Sequence, residues 1–360
     1  MGMFSKLFSS NNEAVYSVVG IDIGSSSIKV VELQDKKGVV TLTTYGELQL
    51  GPYLDKSVGE SVVLTADQEQ KALVDVLRES AVTAKDAVFA MPLSSSFVTN
   101  VSITAAPDAD LAPLVRIEAR KVIPASLSEV ALDWAEIENL TAPSKENADT
   151  GRNVLIAAIQ NVALDRFKVL MKFAGLKQPP TEIECFSTVR GLYDSTEDTV
   201  AIVDVGATAS KLYIAHKGVL MRIHRVRAGG AIATQRIAQL LQIPFNEAEL
   251  KKQSIDRKEA EFGEIQKAHH STYERTFREF AQVLKEFETK NKIHFERVYL
   301  AGGGAIFPGT DTLLKEAVEK EVVLANPFKK VAYPAFMQDT MKEIGPAFTV
   351  ALGAAIRSFE

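Results

Sequence analysis

Hydrophobic and polar positions divide this chain into short strands and amphipathic helices. Residues 14 to 92 read as strand, strand, strand, helix, strand. The helix is Ala66–Ala81, with Leu73, Val76 and Leu77 on one face at helical spacing. "DAVFAMP" (Asp86–Pro92) reads as a short buried strand. A strand over 96–103 follows, then a helix near Asp108–Val122 that begins after Pro107 and closes before Pro124. Strands near 128–139 and 152–159 flank the polar loop Thr141–Thr150. The first unit resumes over 160–198, and a second unit spans 199–344. The outer part of the second unit, 229–295, is largely helical. There Tyr273, Phe277, Phe280, Leu284 and Phe287 recur at helical spacing as a core stripe. Pro346–Ser358 reads as a final helix packing back on the first unit, with small residues suited to close contact. The basic run Arg222–Arg227 alternates as a half-exposed strand does.

One motif occurs twice. "GIDIGSSSIKVVEL" (Gly20–Leu33) returns as "IVDVGATASKLYIA" (Ile202–Ala215) at an offset of 182 residues. Asp22 matches Asp204, Gly24 matches Gly206, Ser26 matches Thr208 and Lys29 matches Lys211. Each copy is a strand, an Asp-x-Gly turn and a second strand. One copy alone is ordinary turn chemistry. Two matched copies predict duplicated domains, each opening with the same hairpin. A glycine after the aspartate permits a tight turn whose N–H groups form an anion nest. Ser25, Ser26, Ser27, Ala207 and Thr208 add amide or hydroxyl donors, and Lys29 and Lys211 add charge. Facing each other across a cleft, such loops grip a polyphosphate from both sides. Asp22 and Asp204 are then the pair to hold Mg²⁺, mostly through water. A third glycine cluster, Gly302–Gly304, ends the strand Val298–Ala301, where bare backbone lets a flat ring or phosphate approach. A glycine pair, Gly229 and Gly230, opens an amphipathic helix.

Composition narrows the function classes. The chain has 360 residues, enough for two or more domains, and a formal net charge of −5, which speaks against general nucleic-acid binding. Its one cysteine, Cys185, has no internal disulfide partner and suits a reducing compartment. The five histidines show no metal-ligand spacing. No apolar run is long enough for a transmembrane helix. "MGMFSKLFSS" is too short and polar for a signal peptide, although Phe4, Leu7 and Phe8 form an apolar stripe available for a weak membrane or partner contact.

Together these elements resemble the actin-like ATPase superfamily, which includes actin, DnaK-type chaperones, sugar kinases, MreB and FtsA. The resemblance implies an α/β fold of duplicated, ribonuclease H-like domains around a nucleotide cleft, with an FtsA-type β-α-β-β subdomain inserted. It places the first domain at 14–92, 159–198 and 345–360, and the inserted, partner-binding subdomain at 93–158. The second domain's core falls at 199–228 and 296–344, and its helical outer lobe at 229–295. The Asp22 and Asp204 hairpins become the two phosphate loops, and Gly302–Gly304 with Phe307 the adenosine loop. "AELKK" (Ala248–Lys252) is similar to a stretch that touches ribose and nominates Glu249 and Lys252. "EIECFSTVRGLY" (Glu182–Tyr193) places Glu184 where the superfamily keeps a carboxylate near the attacking water, with Gln160 or Asn161 as second candidates. Cys185 and Phe186 depart from the proline usual after that carboxylate and leave its role in hydrolysis open.

Within the superfamily, "MFSKLFS", Ala119–Trp134 and Val154–Glu184 resemble the FtsA-related branch that serves type IV pilus assembly. This resemblance implies a cytoplasmic ATP- or ADP-binding scaffold with Mg²⁺ and at most slow ATPase activity. Its partner would be the cytoplasmic N-terminal tail of PilN, with other inner-membrane pilus proteins. It would sit peripherally at the cytoplasmic face of the inner membrane, with a homo-oligomer as an allowed state. Two alternatives remain. A filament-forming ATPase like FtsA or MreB is disfavoured by the missing membrane helix at the chain's end and by the insert, respectively. A sugar or acetate kinase needs an acceptor base that the first domain does not offer.

Overall fold

We describe a computed structural model of the chain, covering residues 16–138, 140, 151–177, 181–195 and 198–360. The first sheet begins with a meander, β1 (Ser17–Ile23), β2 (Ser27–Lys36) and β3 (Val39–Gln49). Helix α1 (Ala66–Glu79) crosses to β4 (Asp86–Met91), parallel to β1. Thr65 caps α1 in a reciprocal capping box with Gln68, which fixes the helix start. The chain then leaves to build β5 (Ser96–Thr104), α2 (Leu111–Val122), β6 (Val130–Ile137) and β7 (Gly151–Gln160). It returns through α3 (Asn161–Phe173) to the two-residue strand β8 (Glu182–Ile183) and α4 (Glu184–Leu192). The sheet order is β3-β2-β1-β4-β8.

The second half repeats this plan. It comprises β9 (Thr199–Val205), β10 (Ser210–His216), β11 (Val219–Val226), α5 (Gly230–Leu241), α6 (Phe245–Ser254) and α7 (Phe262–Asn291). Then come β12 (Arg297–Ala301), α8 (Thr310–Val318), β13 (Glu321–Leu324) and α9 (Gln338–Ile356). The order β11-β10-β9-β12-β13 copies the first sheet strand for strand. The duplication extends to a feature missed in the sequence. Lys37–Gly38 joins β2 to β3 and Lys217–Gly218 joins β10 to β11, all four residues at positive φ. That is the two-residue hairpin turn whose twist matches its strands, and glycine adopts it without strain.

The insert is a three-stranded antiparallel sheet, β5-β7-β6. Leu111, Val115 and Ala119 of α2 cover one face by packing on Val154, Ile156 and Ala158 of β7. From the opposite side, Val98, Ala157 and Ile159 join the core that Ile183, Cys185, Tyr213 and Leu220 form between the two large sheets. The expected α7 stripe (Tyr273, Phe277, Phe280, Leu284, Phe287) is fully buried against β9 and β12 residues.

Two helix starts differ from the sequence reading. Helix α2 starts at Leu111, because Asp110 rather than Asp108 caps it by accepting the Ala112 N–H. Helix α9 starts eight residues before Pro346, so the proline lies inside the helix. Proline lacks an N–H and usually marks a helix start. Here the carbonyl of Pro346 accepts the Gly302 N–H at 2.8 Å, tying α9 to the second domain. On the first domain α9 packs almost backbone to backbone. A Cβ on Gly20 would lie 2.0 Å from the Ala351 carbonyl oxygen, and one on Gly353 1.9 Å from that of Ser187. The stripe of Phe4, Leu7 and Phe8 and the loop Thr141–Thr150 lie outside the described residues.

Candidate functional site

The two Asp-x-Gly hairpins have the same register. Asp22 pairs across the strands with Lys29, and Asp204 with Lys211. In each turn the glycine N–H donates to the carbonyl three residues on, Gly24 to Ser27 at 2.9 Å and Gly206 to Ala209 at 3.0 Å. A Cβ on either glycine would stand 3.1 Å from that same carbonyl oxygen, so tightness rather than positive φ selects glycine here. The turns meet tip to tip, with Ser25 Oγ 3.4 Å from Thr208 Oγ1. Between the domains they floor a cavity of about 660 Å³, within the usual range for a small-molecule site. The sequence-nominated residues of both loops, the glycine cluster, Phe307, Glu249, Lys252, Glu184 and Gly230 all line it. Gly229 does not. Its missing side chain lets the α5 start approach, since a Cβ there would lie 2.4 Å from the Ala207 carbonyl oxygen. The Gly230 and Ala231 N–H groups then donate to the carbonyls of Gly206 and Ala207 at 3.0 and 2.9 Å, fixing the second turn.

The charges of the two hairpins are arranged differently. Lys29 turns from Asp22 to Ser27 Oγ at 2.7 Å and Glu47 at 3.1 Å. The Asp22 carboxylate has no hydrogen-bond or ion-pair partner among the described residues, and burial, with Glu184 and Asp204 nearby, raises its pKa to about 6. Lys211 instead stays with its own aspartate at 3.3 Å and reaches Glu184 at 2.8 Å. Burial works against the Lys211 ammonium, but Glu184 and Asp204 more than offset it, and its pKa lies well above the ordinary value. The second oxygen of Glu184 accepts the Leu93 N–H at 2.8 Å. Both oxygens of the nominated hydrolytic carboxylate are therefore engaged.

The opposite wall is bare backbone. Gly302 has φ +87°, and a Cβ there would lie 2.4 Å from the Val205 carbonyl oxygen. Gly304 is pressed against the Val205 side chain in the same way, whereas Gly303 has no neighbouring atom within 4 Å of where its Cβ would be. Two of the three glycines thus serve close packing, and the third leaves open space toward the cavity. Phe307 is buried, stacked on His269 with ring centroids 3.8 Å apart. Burial drives the His269 pKa down to about 3, so the ring is neutral. Glu249 accepts from the Thr234 hydroxyl, from Lys252 at 2.7 Å and from Gln253 at 2.8 Å. Burial lowers the Lys252 pKa against the pull of Glu249.

Sequence reasoning missed two parts of the cavity wall. The segment after β3 is a strap: Leu50 N–H donates to the Ser26 carbonyl at 2.8 Å and Val62 N–H to that of Ser25 at 2.9 Å. Near its tip Gly59, at φ +80°, meets Glu249 across the cleft, where a Cβ would lie 2.5 Å from Cδ. An isolated glycine was its only signal. Buried Glu69 of α1 is gripped in bidentate fashion by Arg166 of α3, and their separation of 97 residues leaves no local pattern to detect. Among the described residues, no three His, Cys, Asp or Glu side chains stand close enough to ligate an ion by themselves. A cation here would rest on Asp22, Asp204 and water.

A second cavity of about 620 Å³ lies under the insert, between Leu132 and Asp133 of β6, Phe186 and Arg190 of α4, and the Lys217–Gly218 turn. Buried Glu182 forms its floor, held by Ser187 Oγ and Arg190. No described helix is long and apolar enough to cross a membrane.

Two domains of one strand order, closing on a cavity between paired Asp-x-Gly hairpins, define an actin-like protein. The comparisons agree: EutJ from Carboxydothermus hydrogenoformans aligns over 95% of this chain and 89% of its own, with a TM-score of 0.55 at 16% identity. MreB5 of Spiroplasma citri bound to AMPPNP aligns over 94% and 95%, with a TM-score of 0.52 at 10% identity. The chain belongs to the family of the type IV pilus assembly protein PilM, whose family model matches residues 20–359. The solved PilM–PilN type IV pilus biogenesis complex has a chain similar to it over 95% of this chain and 98% of that one, with a TM-score of 0.78 at 23% identity.

Proposed function

We propose that this chain is an ATP-binding scaffold of the type IV pilus inner-membrane assembly complex, which binds the cytoplasmic N-terminal tail of PilN in a nucleotide-sensitive way. The observation that carries the nucleotide reading is the partnerless Asp22 carboxylate facing Asp204 between two donor-rich turns. The residues present fit Mg·ATP or Mg·ADP. Loop amides and hydroxyls of Ser25–Ser27 and Ala207–Thr208 would receive the phosphates, with Lys29 and Lys211 supplying charge. Asp22 and Asp204 would hold Mg²⁺ through water, which neutralises phosphate charge when bound. Gly303 would lie beneath the base, and Glu249 and Lys252 beside the ribose. Hydrolysis would be slow or absent, because Lys211 and the Leu93 N–H already occupy Glu184, the nominated water-positioning group.

The complex of a similar chain with PilN supports the same partner here. The second cavity, part apolar at Phe186 and Leu132 and part charged at Arg190 and Asp133, suits a short amphipathic tail. Such binding would hold the protein at the cytoplasmic face of the inner membrane. Calorimetry with ATP and ADP, with and without Mg²⁺, tests the cleft, and pull-down on an immobilised PilN tail tests the partner. No heat of binding for either nucleotide overturns the first reading, and no capture with or without nucleotide overturns the second.

A further inference from the structure

Glu184 stands where three parts of the molecule meet. Its Oε2 accepts Lys211 of β10, on the second domain's phosphate hairpin. Its Oε1 accepts the N–H of Leu93, in the link by which the chain leaves β4 for the insert. Its own backbone starts α4, whose Phe186, Val189 and Arg190 wall the second cavity, while Glu182 and Ile183 of β8, just before it, complete that wall. Glu184 as a residue is 8% exposed. The geometry points to Glu184 as a positioning residue that couples the nucleotide cleft to the insert and its groove.

The coupling follows from competition for one ammonium. In this structure Lys211 is shared between Asp204 and Glu184. Lys211 also lines the cleft, so phosphate oxygens arriving between the hairpins compete for it. As Lys211 is drawn to phosphate, Glu184 loses its counter-charge and keeps only the Leu93 N–H. A buried carboxylate deprived of its cation is strongly unfavourable, so α4 and the Leu93 link must readjust together. Because α4 walls the second cavity, and the Leu93 link leads into β5, which pairs with the β7 strand whose Ala157 and Ile159 line that cavity, nucleotide and groove ligand become thermodynamically linked, and the linkage is reciprocal.

The inference rests on the nucleotide and PilN readings above, and its test separates their failures. In the full chain, affinity for a synthetic PilN tail peptide is measured without nucleotide and at saturating Mg·ADP, in wild type and Glu184→Gln. The expected ratio between the two conditions is fivefold or more in wild type, about the lower bound of measured allosteric couplings, and less than twofold in Glu184→Gln, whatever the absolute affinities. An equal ratio in both proteins overturns the proposal. The double variant Glu184→Gln/Lys211→Met removes both charges of the pair at once and guards against an unfolded single variant; its ratio is likewise expected below twofold, and a wild-type ratio there overturns the proposal. Amide exchange of Leu93 and β5 gives a second, peptide-independent readout. Mg·ADP changes it in wild type and not in Glu184→Gln. If the peptide never binds, the partner reading falls and the exchange result alone decides on Glu184. Unchanged exchange in wild type that binds Mg·ADP by calorimetry overturns it, whereas no binding overturns the nucleotide reading instead.

Discussion

The two Asp-x-Gly hairpins share register, turn and lysine, yet only one of them is electrostatically closed. In the second, Lys211 bridges Asp204 and Glu184, so both carboxylates have a cation beside them before any ligand arrives. In the first, Lys29 is diverted to Glu47 on β3, and Asp22 remains an unpaired carboxylate. The difference arises outside the motif: β3 offers an acid beside Lys29, and α4 offers one beside Lys211. Duplication thus produced two similar loops, and their neighbours divided the work. One loop has its aspartate already paired, and the other holds an unpaired charge in reserve for a cation.

This asymmetry can be broken from either side. The largest effect is expected for Lys211→Met without nucleotide, which strands two buried carboxylates and costs about 3–5 kcal/mol in chemical denaturation. The matching Lys29→Met costs about 1 kcal/mol, since Glu47 is partly solvated. Equal losses would mean the hairpins are equivalent. Next comes Asp22→Ala, which weakens Mg·ATP binding by about 10- to 100-fold in calorimetry, the worth of a lost charged contact. It leaves the ligand-free melting temperature unchanged or higher, whereas Asp204→Ala lowers both quantities.

A pH series sharpens the same contrast. Folded Asp22 keeps its proton up to about pH 6, against an ordinary value of 3.8. The folded state therefore binds more protons than the unfolded chain in that window, and this group's contribution to stability is lost as pH rises through it. Cation binding needs the ionised form, so Mg²⁺-dependent affinity falls by up to about tenfold per unit below about pH 6. Asp22→Asn abolishes that slope. The smallest effect belongs to the contact both hairpins share: Ser25→Ala or Thr208→Val removes an exposed bond of 3.4 Å and changes stability by less than about 0.5 kcal/mol.

The hairpins were legible because a turn that must bring Asp, Gly, hydroxyl and Lys together leaves a local signature, and the fold repeats it. The β-α-β-β insert and the α7 stripe were legible through periodicity. What escaped is non-local. The choice of Lys29 between Asp22 and Glu47 depends on how β3 registers on β2. The Glu69–Arg166 pair depends on α3 returning after the insert. The strap from Leu50 to Val62 depends on the carbonyls of Ser25 and Ser26 in the serine turn, 24 and more residues away in the chain. The early start of α9 was hidden because Pro346 signals a helix beginning. The bond from the Gly302 N–H to its carbonyl comes from another part of the chain and left no local signal.

That last contact has a mechanical consequence. Helix α9 is seated on the first domain by near-touching backbones at Gly20 and Gly353, while its Pro346 carbonyl holds the glycine loop of the second. It is the tie rod of the molecule: the domains cannot separate along it without unseating the loop that would lie under the nucleotide base.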